Sequence, residues 1–170
     1  MIRVGCIGLG GMGLHQAKTF AGVAGCQLVA GADPSAEMRA RFAQLYPAAQ
    51  LHTTPEALLA QPDIDAVVIA VPTGFHQQIA SAALAAHKPV LLEKPMARTV
   101  EQCLRLIDDA AKANTLLMVA HCRRFDPYWT AWGDYVTAGK LGRPGVWGGV
   151  LAGGGCGGGG FVGERWGGAP

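Results

Sequence analysis

Charge is scarce in this chain: only 15% of its 170 residues are Asp, Glu, Lys or Arg, and the formal net charge is +2. That balance leaves no electrostatic footprint for nucleic acid or an anionic membrane surface, and Arg123-Arg124 is the only tight basic pair near the middle of the chain. Neither nucleic acid nor membrane is therefore expected as a partner. Long apolar runs are missing too, none approaching the roughly 20 residues that a membrane-spanning helix needs. The N-terminus lacks a charged segment followed by an apolar stretch and a cleavage site, which leaves no place for a signal peptide. The five cysteines (Cys6, Cys26, Cys103, Cys122, Cys156) are odd in number and nowhere spaced C-x-x-C. Neither a zinc site nor a disulfide framework follows from them, so no metal is expected, and a reducing cytoplasm is the simplest compartment.

Hydrophobic residues, by contrast, make up half of the chain, enough for one domain with a real core. Apolar runs of strand length occur at 3–7, 27–32, 66–71, 89–93 and 116–120. Helical patterns fall between them. One covers 35–45. A short one is capped by Thr54 with Pro55 at its first position. A third spans 74–86, with Ile79, Ala83 and Leu84 at helical spacing. The next, 100–113, carries Leu104, Ile107 and Ala111 on one face, and 126–138 opens with Asp126 and Pro127. This alternation predicts an α/β fold, a Rossmann-type doubly wound parallel sheet with right-handed crossovers. From about residue 152 the character changes: ten of the last 19 residues are glycine, a composition with almost nothing to pack.

The first run ends in Gly8-Leu9-Gly10-Gly11-Met12-Gly13, and a helical pattern follows. A G-x-G-x-x-G motif gains chemical meaning between a strand and a helix. Gly8 permits the tight turn, Gly10 lets backbone approach a pyrophosphate, and Gly13 lets the helix pack on the strand. The free N–H groups and dipole at the helix N-terminus favour the diphosphate's negative charge. Asp33 lies 20 residues beyond Gly13, at the end of the second run, where a carboxylate can accept the ribose hydroxyls of an adenosine. The same residue can cap a helix, with Pro34 at the first position, and the two roles are compatible. NAD is favoured over NADP because Asp33 would repel a 2′-phosphate; Arg39 and Arg41, on the following helix, would weaken that preference.

Ligands of such sheets bind outside the carboxyl ends of the strands. That rule selects residues 8–13, Asp33, 71–76, 93–96 and 121–124. Among them, Lys94 in Glu93-Lys94-Pro95 could hydrogen-bond a substrate hydroxyl, and a cis bond at Pro95 would aim it. Glu93 bears on the lysine's charge according to where its carboxylate points.

Four stretches in this order, Gly8 to Gly13, Val71-Pro72-Thr73-Gly74-Phe75-His76, Val90-Leu91-Leu92-Glu93-Lys94-Pro95-Met96-Ala97 and Arg123-Arg124-Phe125-Asp126-Pro127, give the chain a family likeness. Over roughly residues 2–150 it resembles the N-terminal domain of the glucose-fructose oxidoreductase / inositol dehydrogenase / rhizopine-catabolism family of NAD(P)-dependent oxidoreductases. The resemblance implies that Gly8, Gly10, Gly11, Met12 and Gly13 hold the pyrophosphate and Asp33 the adenosine ribose. Val71, Pro72 and Thr73 line the nicotinamide side with His76 close by. Glu93 and Lys94 lie near the ring, Lys94 contacts the reacting hydroxyl, and Arg123 sits at the cofactor or substrate edge. It also implies a sugar or cyclic polyol as small-molecule substrate and a second α/β domain that carries an acid/base histidine. The resemblance implies members roughly twice this length, so that domain is expected to be essentially absent, and with no histidine after His121 its base is not expected in cis. The expected layout is a dinucleotide-binding domain at 1–121, the start of a connection at 122–151 and a truncated glycine-rich tail at 152–170. Against hydride transfer stands a non-catalytic or truncated dinucleotide-binding module, and a homo-oligomer or a separate completing chain are further expectations about partners.

Overall fold

The apolar runs form a single six-stranded parallel sheet in the computed structural model, which describes residues 1–140. The strands are β1 (Ile2–Ile7), β2 (Cys26–Ala32), β3 (Gln50–His52), β4 (Ala66–Ile69), β5 (Val90–Leu92) and β6 (Leu117–Val119), in the order β3-β2-β1-β4-β5-β6. The chain builds outward from β1 in one direction and then crosses back to build outward in the other, so the switch point falls between β1 and β4. β3 has no counterpart among the apolar runs. Its Gln50 and Leu51 are exposed, and backbone pairing with β2 from Ala30↔Gln50 to Ala32↔His52 makes it a strand.

Helices α1 (Gly11–Ala21) and α2 (Ala36–Leu45) supply Ala17 and Phe42 to a core shared with Cys6 and Leu9. A second core joins α3 (Pro55–Leu59), α4 (His76–Ala85) and α5 (Val100–Ala113) to the sheet through Leu58, Ile79, Leu84 and Leu106, packed on Ile7, Val67, Ile69 and Leu92. Alternate strand residues thus feed different cores, which is why the central strands read as continuous apolar runs rather than as alternation.

Three local expectations are corrected. The cap of α2 is Ser35, whose Oγ accepts from Met38 N–H at 3.3 Å, and not Asp33; both Asp33 oxygens accept other N–H groups, and Pro34 precedes the helix. α4 begins at His76, because Thr73–Phe75 form a 3₁₀ turn with Phe75 N–H donating to Pro72 O at 2.9 Å. On α5, Leu104 and Ile107 are 60% and 56% exposed, while Leu106 is buried and Ala110 and Ala113 pack against the core. The helix lies beside the edge strand, so its apolar stripe overlooks a hollow of about 300 Å³ lined by Met96, Ile107, Ala110, Leu117 and Val119.

The chain divides into two compact units, Met1–Cys122 and Arg123 onward. In the second, α6 (Pro127–Thr137) opens as the sequence predicts, Asp126 accepting from Tyr128 N–H at 3.0 Å with Pro127 in the first turn. The expected tail over 152–170 lies outside the described residues. Among the described residues no helix is long and apolar enough to cross a membrane.

Candidate functional site

Strand register alone gathers most of the sequence-selected residues. Ile7 pairs with Ala32 on one side and Ile69 on the other, Ile69 with Leu92, and Leu92 with Val119. The residues that follow these strand ends therefore share one edge of the sheet. Backbone bonds carry the ladder one step further: Gly8 N–H to Ala32 O, Ala70 N–H to Ile7 O, Glu93 N–H to Ile69 O and Ala120 N–H to Leu92 O, all at 2.8–2.9 Å. The glycine turn, Asp33, Val71 and Glu93 thus lie at the carboxyl edge around the switch point.

Gly8 has φ +87, and a Cβ there would stand 2.6 Å from Ala70 O and 2.9 Å from Val71 Cγ1. Only glycine fits the turn. Gly13 lies so close that a Cβ would collide with the Gly8 carbonyl oxygen, so α1 rests directly on the turn. Beneath it, the fully buried Cys6 donates to Gly13 O at 3.5 Å and to Gly8 O at 3.7 Å. Burial pushes this thiol up to about 12, which makes it a packing group and not a nucleophile. Gly10 and Gly11 differ from the other two: a Cβ on either would meet nothing within 4 Å. Gly10 is the N-cap of α1, no side chain caps the helix, and its first turn holds no acidic residue. Met12 is partly exposed beside them. An open helix N-terminus bare of side chains and of negative charge has the donor set and the clearance that a diphosphate requires.

Asp33 fixes the position of this turn. Its Oδ2 accepts from Leu9 N–H and its Oδ1 from Ser35 N–H, both at 2.8 Å, and its own N–H donates to His52 O at 3.2 Å. Each carboxylate oxygen keeps a second lone pair for a ribose hydroxyl. Arg39 closes the far side, its Nη1 donating to Asp33 O at 2.7 Å and Pro34 O at 2.9 Å.

Across the switch point, His76 is buried between two loops. Its Nδ1 lies 2.8 Å from Pro95 O and its Nε2 2.9 Å from Val71 O. With both ring nitrogens against backbone carbonyls, His76 joins the loop after β4 to the Lys94 loop from behind. Glu93 is buried, its Oε1 accepting from Gln16 Nε2 at 2.5 Å and its Oε2 from Lys94 N–H at 3.2 Å. The carboxylate therefore ties α1 to the Lys94 loop and forms no ion pair with the lysine. Lys94 is exposed, its ammonium makes no hydrogen bond among the described residues, and the Lys94-Pro95 bond is cis. Pro72 and Thr73 lead into the 3₁₀ turn beside them. Arg123 belongs to the second unit, where it pairs with Asp126 at 3.3 Å and lies over the Trp129 ring at 5.6 Å.

Two contributors had no sequence signal: Gln16, and His52, whose O accepts from Asp33 N–H and whose buried Nε2 has no partner among the described residues. Each acts through where the chain returns in space, and no motif marks it.

Residues 2–121 match an oxidoreductase family described by its NAD-binding Rossmann fold. Inositol 2-dehydrogenase 1 of Saccharopolyspora erythraea is 38% identical over 146 residues, covering 84% of this chain and 43% of that protein. The scyllo-inositol dehydrogenase of Lactobacillus casei, solved with NAD(H) and scyllo-inositol, superposes with a TM-score of 0.77 at 28% identity, covering 84% of this chain and 42% of that one. A 3-ketoreductase of Actinomadura kijaniata, solved with NADP, gives a TM-score of 0.75 at 27% identity, over 81% of this chain and 42% of that one. The chain thus spans under half the length of these relatives. Sheet order, glycine turn and family match agree, and the chain belongs to the glucose-fructose oxidoreductase / inositol dehydrogenase / rhizopine-catabolism family, as its NAD-binding Rossmann domain.

Proposed function

We propose that this chain binds NAD along the carboxyl edge of its sheet and serves an oxidoreductase acting on a secondary alcohol of a sugar or cyclic polyol. One observation carries the reading: the uncapped α1 N-terminus, open above Gly10 and Gly11, is flanked by Asp33 on one side and by the Lys94 turn on the other. The backbone from Gly8 to Gly13, Met12 included, holds the diphosphate, and Asp33 accepts the adenosine ribose hydroxyls. Val71, Pro72, Thr73 and Glu93 frame the nicotinamide, with His76 holding that frame in place. Arg123 is assigned to the cofactor or substrate edge on its motif alone. Bound NAD supplies the hydride acceptor. Lys94 donates a hydrogen bond to the substrate oxygen and stabilises its developing negative charge.

The carboxylate of Asp33 favours NAD over a cofactor with a 2′-phosphate. Inositol-like polyols are the substrate class supported by the relatives' names. A reducing cytoplasm suits the exposed thiol of Cys122. A second reading, a dinucleotide module without turnover of its own, is favoured by the exposure of Lys94, whose ammonium has no hydrogen-bond partner among the described residues. A second copy or a completing chain would then supply the rest of the site.

Incubating the 170-residue chain with NAD and a panel of inositols and sugars, with absorbance read at 340 nm, separates these readings. NADH production abolished by Lys94→Ala supports hydride transfer by this chain. Saturable NADH binding without production supports the module. Absence of NADH binding to folded protein overturns both.

A further inference from the structure

We propose that Gln16 is a positioning residue for Lys94: through the buried carboxylate of Glu93, its side-chain amide fastens the Lys94 turn to the helix whose N-terminus is assigned to the diphosphate. Occupation of that N-terminus is thereby felt at the turn that aims the lysine. The inference rests on the dinucleotide reading above and concerns how the two ends of that site are joined. Gln16 lies in α1, three residues beyond Gly13, which is about 4.5 Å further along the axis. Its Nε2 donates to Glu93 Oε1 at 2.5 Å, and only the nitrogen of an amide can face a carboxylate in this way. The other oxygen, Glu93 Oε2, accepts from Lys94 N–H at 3.2 Å. One side chain thus holds the helix with one oxygen and the lysine's own peptide group with the other.

The surroundings leave this bridge little slack. Glu93 is 8% exposed, and its backbone is locked into the sheet by its N–H on Ile69 O at 2.9 Å. At its near end α1 lies directly on the glycine turn, since a Cβ on Gly13 would collide with Gly8 O. A movement of the first turn toward or away from a bound anion therefore carries Gln16 with it. Among the described residues no other hydrogen bond joins α1 to residues 93–96. The contact of His76 with Pro95 O, at 2.8 Å, holds the far side of the turn from α4, which has no part in the diphosphate site. Coupling between the two ends needs a continuous physical link, and Gln16 supplies it. Without its amide, Glu93 Oε1 is a buried oxygen that has lost its donor. The ammonium of Lys94, one residue away and unpartnered among the described residues, is then free to replace the amide, which would draw the lysine away from the cleft.

The test is an amide chemical-shift titration of the 170-residue chain with ADP, which carries adenosine and diphosphate and has no nicotinamide to touch Lys94. In the wild type, saturable shifts at Gly10 to Gly13 are accompanied by a shift of Lys94 N–H with the same dissociation constant. Gln16→Met, unbranched and without a donor, keeps ADP affinity within about fivefold of wild type, the small end of a coupling between sites, yet loses the Lys94 shift. Gln16→His, which restores an N–H donor, recovers at least part of it. Should Gln16→Met fail to fold, Glu93→Gln reads the same link. Its amide oxygen can still accept from Gln16, but its NH2 then confronts Lys94 N–H, so the glycine shifts persist and the Lys94 shift disappears. A packing role for Gln16 would lower the melting temperature and ADP affinity while the Lys94 shift still followed binding. That pattern, or a wild type in which ADP moves the glycine amides and leaves Lys94 unmoved, overturns the assignment. A folded wild type whose spectrum ignores ADP overturns the dinucleotide reading itself, a distinguishable failure.

Discussion

Replacing Gly13 by alanine puts a methyl group where the Gly8 carbonyl oxygen already lies, with Gly8 C at 2.8 Å and Cys6 Sγ at 3.7 Å behind it. The obstacle is backbone and cannot rotate away, so α1 must retreat by roughly 1 Å, and the cost falls near the upper end of overpacking, about 3 kcal/mol. Better helix propensity returns at most about 1 kcal/mol. A net loss of about 2 kcal/mol lowers Tm by roughly 8 °C in a unit of this size. The shift also moves the N–H groups of the first turn, so NADH affinity falls together with stability. Gly10→Ala is the contrasting perturbation. Its backbone, φ −68 and ψ −170, is open to alanine, and the new Cβ meets no protein atom within 4 Å. Stability changes by less than about 1 kcal/mol, the difference between Gly and Ala at an N-cap. NADH binding nevertheless weakens by at least about tenfold, because the methyl occupies the approach to the diphosphate. Thermal melts by circular dichroism and NADH fluorescence titrations read both quantities. Wild-type NADH affinity in Gly10→Ala, or wild-type stability in Gly13→Ala, refutes the division of labour drawn here.

Four further outcomes are expected. Because burial raises the Cys6 thiol from 9.0 to about 12, its contribution to stability is complete below about pH 9 and is lost as the pH rises toward 12. Cys6→Ala should flatten that alkaline decline, and an unchanged pH profile would argue against it. The Arg3 guanidinium, bonded to Asp65 at 2.8 Å and 3.0 Å, holds that carboxyl well below its ordinary 3.8, so the pair stabilises the fold above that value and less as the pH drops through it. Asp65→Asn should make the acid limb of the stability curve shallower, which urea melts between pH 2 and 6 would show. Lys88, buried and donating to Gln61 O at 2.9 Å and Ile64 O at 2.8 Å, cannot become methionine without stranding two carbonyls. Lys88→Met should cost about 2–4 kcal/mol in denaturant melts, and a neutral result would mean that water replaces the ammonium. His87 ends α4 at φ 54, a conformation that costs a non-glycine residue about 1 kcal/mol. His87→Gly should therefore stabilise by about 0.5–1 kcal/mol, less whatever its contact with Ala113 O at 3.2 Å contributes.

The central strands and the glycine turn were legible in sequence because their signals are local. A buried parallel strand shows as an apolar run, and Gly8 and Gly13 answer constraints set within a few residues. β3 was not legible, since Gln50-Leu51-His52 becomes a strand only through pairing with β2. The buried face of α5 departs from its periodicity for a related reason: periodicity marks an apolar stripe, and tertiary position decides whether it is covered. In the site, the residue types at 33, 76, 93 and 94 were visible, but their connections were not. The clasp of Asp33 on Leu9, the link from Gln16 to Glu93 and the double contact of His76 all join residues far apart in the chain. The left-handed residue ending α5, Asn114 at φ 48, is by contrast a local feature, closed by Thr115 N–H on Ala110 O at 3.1 Å.

The most direct test of the central claim is an amide chemical-shift map of the 170-residue chain titrated with NADH. The account predicts saturable shifts at Leu9, Gly10, Gly11, Met12, Gly13 and Asp33, with a second group around Val71 and Glu93. Shifts confined to the hollow of about 530 Å³ between α4 and α5, lined by Ser81, His87, Arg105 and Asp109, would contradict it. So would a folded chain whose spectrum does not change.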